Sequence, residues 1–500
     1  MRTGDMKKAL LIILSLTMAL SLFACGERGN KGASAGNNID VVTPQPHETA
    51  AAPAPSGQGG EAIPTEAASE EPALTAEPTE APRIPRDVEE AIALYQGSVV
   101  GYEHYDRDDV ALNEPIPEPR YTLGADGVYH SSESTNDNEA VIMLTGDLMC
   151  QSRQQLAAKT ETGYDFRGEF EYLRDLFSKA DLLVGNLEAT ISPTAPYMSE
   201  QSYVDGSPHL NCPITFLEAI RGAGYDLVMM SNNHNCDLGV RGIYDTLDRV
   251  ERFGFMHTGL FRSPAEPRYV IAEVEGIKIG FVGYTHYFNH KEEHLTKEGR
   301  AALISPYSGQ LVERDIRAAR EAGAEFIMVY IHWGVEYEND PGRIEHIPVT
   351  ERTTGRKFSL RVPMDQQYRM AQEIADAGAD YILGSHPHAL QPYDVITSWD
   401  GRSVPVIYSL GNFVSHQKRD ISNDTVILRI VLEKDANGTV RITKEGYVPA
   451  HMHVSYKGRH YTVLPLTYPY RKDNMSGEFA SAYARITNVI GPKLPIMGTF

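Results

Sequence analysis

From about residue 139 the chain alternates between two hydrophobic periods. Short, continuous apolar runs rich in β-branched residues are "AVIMLTG", "DLLVGN", "DLVMMSN", "KIGFVGY", "EFIMVYI", "DYILGS" and "PVIYSLG". Between many of them lie segments in which apolar residues recur every three or four positions, such as "EFEYLRDLFSKA", "PITFLEAIRGAG", "GIYDTLDRVERFG", "GQLVERDIRAAREAG" and "MDQQYRMAQEIADAG". Runs that are apolar throughout predict strands covered on both faces, and the longer period predicts helices with one covered face. Several helical segments stop at a glycine just before the next strand, a common terminator. Strand–helix alternation implies βαβ units and a buried, largely parallel sheet. Two later runs, "DTVILRIVLE" and "GTVRITKEGYVP", follow each other without a helix and predict antiparallel pairing. The expected fold class is therefore α/β, a layered sandwich, in a domain spanning residues 139–470 with a tail at 471–500.

The pattern breaks down before residue 139. Residues 1–25 place Arg2, Lys7 and Lys8 ahead of "ALLIILSLTMALSLFA", a positive region followed by an apolar one, as in secretory signals. The run ends in "LFAC". A small residue followed by cysteine resembles a bacterial lipobox, with Cys25 as the lipidated first residue of the mature chain. The protein is expected on the extracytoplasmic face of the cell membrane, held by a lipid anchor. Residues 26–85 are Ala, Pro, Gly, Glu, Thr and Ser with almost no large apolar residue. Such a segment buries too little surface to offset the entropy of ordering, and reads as a disordered tether. Residues 86–138 hold one short helical pattern, "DVEEAIALYQ", within polar sequence, and read as a partly ordered extension.

The formal net charge of −21 argues against broad electrostatic binding to nucleic acid or anionic lipid. Besides Cys25 there are Cys150, Cys212 and Cys236, without a CxxC pair, so a thiolate zinc site is not indicated and packing is their expected role.

Ligand and catalytic groups in open α/β folds gather beyond the carboxyl ends of strands. Here those ends carry Asp147, then Asn186 and Glu188, then Asn233, His234 and Asp237, then His332, Trp333 and Glu336, then His386 and His388, then Asn412. Nearly every strand delivers an oxygen or nitrogen ligand to one edge. Imidazole together with carboxylate and amide oxygen suits Mn, Fe or Zn, and the set is large enough for two divalent ions. Pro387, with its fixed φ, holds the step between His386 and His388.

"GDLM", "GNLE", "SNNHNCDLG", "IHWGVEY", "GSHPH" and "YSLGNF" together resemble the CapA family, the capsule or poly-γ-glutamate synthesis proteins also called PgsA-like. The resemblance covers roughly residues 139–435 in order. It implies an α/β/β/α sandwich of the calcineurin-like metallophosphoesterase type, with metal ligands at Asp147, Glu188 or Asn186, Asn233, His332, His386 and His388. It implies His234 acting on the leaving group; Asp237 can orient it, and Trp333, Glu336 and Asn412 are expected around the substrate cleft. Two departures stand out. Met149 occupies the place of a histidine in the first motif, and Asn186 that of an aspartate in the second. Two functions stay open: a metal-dependent hydrolase or phosphoesterase of the envelope, and a non-catalytic accessory of a membrane capsule synthase that contacts synthase subunits and an anionic polymer.

Overall fold

The computed structural model describes residues 83–102, 105–201, 209–339, 344–350, 357–363, 366–417, 419–455, 460–467 and 477–497, the side chains of 344–350 and 357–363 excepted. The expected secretory leader, Cys25 and residues 26–82 of the expected tether lie outside the described residues. Two eight-stranded sheets face each other. In the first, the parallel strands Ile277–Thr285, Phe326–His332, Tyr381–Ser385 and Ser403–Leu410 form the centre. In the second, Glu139–Leu148, Leu182–Leu187, Leu227–Met229 and Met256–Thr258 run parallel. The antiparallel pair Asp424–Lys434 and Val440–Val454 extends that sheet from Glu139–Leu148.

Alternation along the strands builds three apolar layers. Ile142, Leu144, Val184, Ile279, Phe281, Met328 and Leu383 meet between the sheets. Met143, Leu183 and Val228 point the other way, under the helices Thr215–Gly222 and Gly239–Arg252. Val282, Ile327, Val329 and Ile382 face the helices Gly309–Glu321 and Gln366–Asp376. The result is the expected α/β/β/α sandwich. Its strands are apolar throughout because both faces are covered.

The Gly309–Glu321 helix shows how the pattern becomes structure. Ser308 caps it, its side chain accepting from Leu311 N–H, and Gly323 at φ 99° ends it. Val312, Ile316 and Ala319 lie on one face and are buried against the first sheet. Each large side chain among them contributes about 1.5–3 kcal/mol by burial. The 169–180 segment is not one helix but a 3-10 turn at Arg167–Phe170 and a short helix at Arg174–Phe177, wound tight by bonds from Leu173 N–H to Phe170 O and from Leu176 N–H to Leu173 O.

Both flanking segments belong to the fold. Within 86–138, the helix Val88–Tyr95 packs Ala91 and Tyr95 into the outer layer of the second sheet, and Tyr121–Leu123 and Tyr129–Ser131 add two strands to the first sheet. The 471–500 segment contains the helix Glu478–Ile490, which buries Ala482, Ile486 and Ile490 in the layer between the sheets. Arg485 fixes that helix by donating to both oxygens of the buried Asp424, at 2.5 and 2.8 Å.

Candidate metal centre at the seam between the sheets

The strand ends converge where the two sheets meet. The second sheet supplies Asp147, Glu188 and Asn233, and the first supplies His332, His386 and His388. All six are buried. Their approach depends on glycine. A Cβ at Gly146 would collide with the Gly411 carbonyl, and one at Gly384 with that of Tyr408. With no Cβ there, Asp147 N–H reaches Gly411 O at 3.0 Å.

Glu188 sits at the middle. Its Oε1 lies 3.7 Å from His332 Nε2, 3.8 Å from His388 Nε2 and 4.0 Å from His234 Nε2. On one side, ligand atoms of Asp147, Glu188 and His388 all fall within 4.8 Å of one another. On the other, His332 Nε2 is 3.1 Å from Asn233 Oδ1 and 3.1 Å from His386 Nδ1. Glu188 therefore borders two loci.

Among the described residues, Asp147 Oδ2 and both Glu188 oxygens are buried without a hydrogen-bond partner. Burial, reinforced by the charge of Asp147, pushes the Glu188 carboxyl well above its usual range. Burial and the neighbouring imidazoles hold His332 and His386 well below theirs, so both stay neutral with a lone pair to offer. Burial works against protonating His388 as well, but the close approach of Asp147 outweighs it and raises its pKa. Orphaned carboxylate oxygens beside neutral imidazoles are the donor set of a divalent cation, so the residues fit the expected metal.

Hydrogen bonds behind the donors orient them. Ser385 Oγ lies 2.7 Å from His332 Nδ1, and Asn412 Oδ1 lies 2.8 Å from His388 Nδ1. His386 and His388 both adopt left-handed backbone, at φ 94° and 52°, on either side of Pro387. Such strain persists only where the surroundings over-determine it; here Tyr337 N–H donates to Pro387 O at 2.6 Å. The two imidazoles diverge, His386 toward His332 and Tyr287, His388 toward Asp147.

A cleft of about 500 Å³ opens beside this cluster, with His234, Asp237, His388, Met149 and Glu336 in its wall. His234 Nδ1 lies 2.8 Å from Asp237 Oδ2, which also accepts from Leu210 N–H at 2.8 Å. That pairing leaves Nε2 turned toward Glu188 and the cleft.

Three expected positions differ. Trp333 is fully buried, stacked on Tyr408 and donating through Nε1 to the Tyr408 carbonyl at 2.8 Å. The residue after His332 points to the opposite face, so it packs in the outer layer and not in the cleft. Asn412 is also buried and stands behind His388. Asn186 is engaged at both ends of its amide: Nδ2 donates to Asp147 Oδ1 at 2.8 Å, and Oδ1 accepts from Asn232 Nδ2 at 3.3 Å. It supports Asp147, and Glu188 takes the central place. Tyr287, whose hydroxyl contacts His386 Nε2, is a residue the sequence reading passed over. It follows the Ile277–Thr285 strand, so the strand-end rule applied there would have found it.

The family described as "Bacterial capsule synthesis protein PGA_cap" matches residues 141–347 and 355–417. The PGA biosynthesis protein CapA of Bacillus subtilis (strain 168) is 26% identical over 276 residues, covering 55% of this chain and 63% of that protein. The capsule biosynthesis protein CapA of Bacillus anthracis is 25% identical over 311 residues, covering 61% and 66%. The chain thus spans just under two thirds of the length of each of these relatives. Among solved structures, the Haemophilus influenzae NAD nucleotidase NadN aligns over 71% of this chain and 63% of its own at 12% identity, with a TM-score of 0.39.

Proposed function

The chain belongs to the bacterial capsule synthesis protein family PGA_cap, and on that premise we propose that it is an envelope protein acting in the synthesis or export of a capsule-type polymer, through a metal-dependent hydrolytic or transfer site at the seam. The observation that carries this reading is the set of three buried carboxylate oxygens, on Asp147 and Glu188, that make no hydrogen bond among the described residues. A charge is not buried that way unless something compensates it. Asp147, Glu188 and His388 would hold one cation, and Asn233, His332 and His386 beside Glu188 would hold a second. Bound there, such ions supply Lewis acidity toward a phosphoryl or carbonyl oxygen.

The chain's own residues do the rest. His234 Nε2 faces the cleft and gives a proton to the departing group, while Asp237 holds the proton on Nδ1 and fixes the ring. Ser385 and Asn412 set the orientation of His332 and His388, so their donor nitrogens keep their aim. The lipid anchor at Cys25 and the tether of residues 26–85 would place this site outside the membrane, within reach of synthase subunits. No helix among the described residues is long and apolar enough to cross a membrane.

One observation favours the second reading, an accessory without turnover: Met149 stands in the cleft wall, where the resemblance implies a histidine. Elemental mass spectrometry on purified protein separates the two. About two equivalents of Mn, Fe or Zn, lost in the His386→Ala/His388→Ala variant, are expected for a working dinuclear site. Absence of bound metal after reconstitution with each ion would refute it and leave the accessory role.

A further inference from the structure

Tyr287 stands behind the metal centre, just past the strand Ile277–Thr285. Two bonds set the backbone there: Thr285 Oγ1 donates to Tyr287 O at 2.9 Å, and His286 N–H donates to His332 O at 2.9 Å. The Tyr287 hydroxyl reaches two groups, Gly334 O at 2.5 Å and His386 Nε2. Its ring meets the His386 ring edge-on, with centroids 4.6 Å apart and planes at 88°. Gly334, at φ 88°, supplies the carbonyl from a turn that glycine enters without strain.

Proton inventory decides the roles. A carbonyl oxygen only accepts, and a phenol has one hydrogen. That hydrogen goes to Gly334 O; otherwise two oxygens would face each other at 2.5 Å with nothing between them. The Tyr287 oxygen then accepts, and the hydrogen it accepts is the one on His386 Nε2. His386 is held neutral by burial, so it carries one ring proton and its Nδ1 is bare. That nitrogen lies 3.1 Å from His332 Nε2, at the second locus. His388 is the opposite case. Asn412 Nδ2 donates to Gln417 Oε1 at 3.1 Å and to Ser422 O at 3.2 Å, so Asn412 Oδ1 faces His388 Nδ1 as an acceptor, at 2.8 Å. His388 holds a proton on Nδ1, and its donor nitrogen is Nε2, 3.8 Å from Glu188 Oε1.

We propose that Tyr287 is the positioning residue of His386, holding the imidazole proton on Nε2 so that Nδ1 is the nitrogen offered to a cation. The step from His386 through Pro387 to His388 thus presents opposite nitrogens of two imidazoles, one to each locus. This rests on the reading of the seam as a metal centre. Tyr287 acts through His386, in the way that partners behind a metal ligand fix its tautomer and aim.

The test is nuclear magnetic resonance on the full chain, labelled with ¹⁵N at histidine and kept metal-free with chelator. Long-range ¹H–¹⁵N correlations show which ring nitrogen carries the proton, and His386→Gln identifies the His386 signals. The wild type is expected to carry that proton on Nε2. Tyr287→Phe keeps the edge-on ring contact and removes the acceptor. It should populate the Nδ1–H form of His386 and leave the His388 signals in place, a change that a merely structural role would not produce. Calorimetric titration of the same chains with Mn²⁺ is expected to show one of two equivalents weakened by about 10–100-fold in Tyr287→Phe, the scale for losing such a supporting partner, and the other spared. A proton on His386 Nδ1 in the wild type overturns the proposal, as does a Tyr287→Phe chain whose tautomer or Mn²⁺ affinity matches wild type. A wild type that takes up no Mn²⁺ removes the metal reading, and the tautomer alone then decides for or against Tyr287.

Discussion

Replacing Glu188 with glutamine should stabilise the metal-free protein and destabilise the metal-loaded one. Both Glu188 oxygens are buried without a hydrogen bond among the described residues, as is Asp147 Oδ2 beside them, which His388 Nδ1 approaches only to 3.4 Å. An unsatisfied buried polar atom costs about 1–3 kcal/mol. Glutamine keeps the shape, removes the charge that repels Asp147, and brings an N–H that can donate to Asp147 Oδ2. A gain of about 2–4 kcal/mol follows for the metal-free chain. In a fold of this size the entropy of unfolding is large, so that gain raises the melting midpoint by only about 2–5 °C. Wild type with Mn²⁺ at about 10,000 times its dissociation constant gains about 5.5 kcal/mol, and the variant should gain almost none. Scanning calorimetry with chelator and with Mn²⁺ therefore gives crossing orders: variant above wild type without metal, wild type above variant with it. The pH dependence has a definite sign. The Glu188 carboxyl is raised in the fold, so metal-free wild type is steadiest below its ordinary titration range and loses stability as pH rises toward the raised value. The variant should lack that slope. A variant that melts below wild type in chelator, or a Mn²⁺ shift equal in both, would refute the metal-site reasoning.

Two further outcomes are expected. Glu169, buried and bonded through Gln154 Nε2 at 3.3 Å, has its carboxyl raised by burial from 4.5 to about 8. Its protonated form suits the fold, so stability is complete below pH 4.5 and is lost as pH climbs through 8; Glu169→Gln should remove a loss of up to about 5 kcal/mol, read from urea titrations at acid and alkaline pH. Among the described residues, Arg485→Ala leaves the buried Asp424 carboxylate with His451 as its remaining side-chain partner at 2.9 Å. It should cost about 2–3 kcal/mol, and hydrogen exchange should show the Glu478–Ile490 helix opening first; uniform protection there would count against the anchor.

The strands were legible because their composition says how they are covered. Runs with no polar side must be buried twice, and every such run became a strand between two layers. The site was legible for a related reason, since side chains beyond the carboxyl ends of parallel strands share one edge. What the edge rule does not supply is the face. His332 and Trp333 are neighbours in sequence, but alternation sends one into the seam and the other into the outer layer. The second sheet's partners also escaped, because nothing local in "GNLE" or "HWGVE" says that their strands lie in different sheets. Short strands such as Tyr121–Leu123 and Tyr129–Ser131 carry too few residues to show a period. The terminal helix did show one: Ala482, Ile486 and Ile490 recur every four residues, and the polar surroundings hid it.

The passage of the chain at Gly411, from the strand Ser403–Leu410 in one sheet to Asn412–Val414 in the other, has a mechanical meaning. The donor set is split between two slabs held together mainly by apolar contact. A cation gripped by both is a rivet through the sandwich. A shear of the slabs by an ångström would change every donor distance together, so the site tests whether the whole fold is in register. Neither slab alone retains more than half a grip.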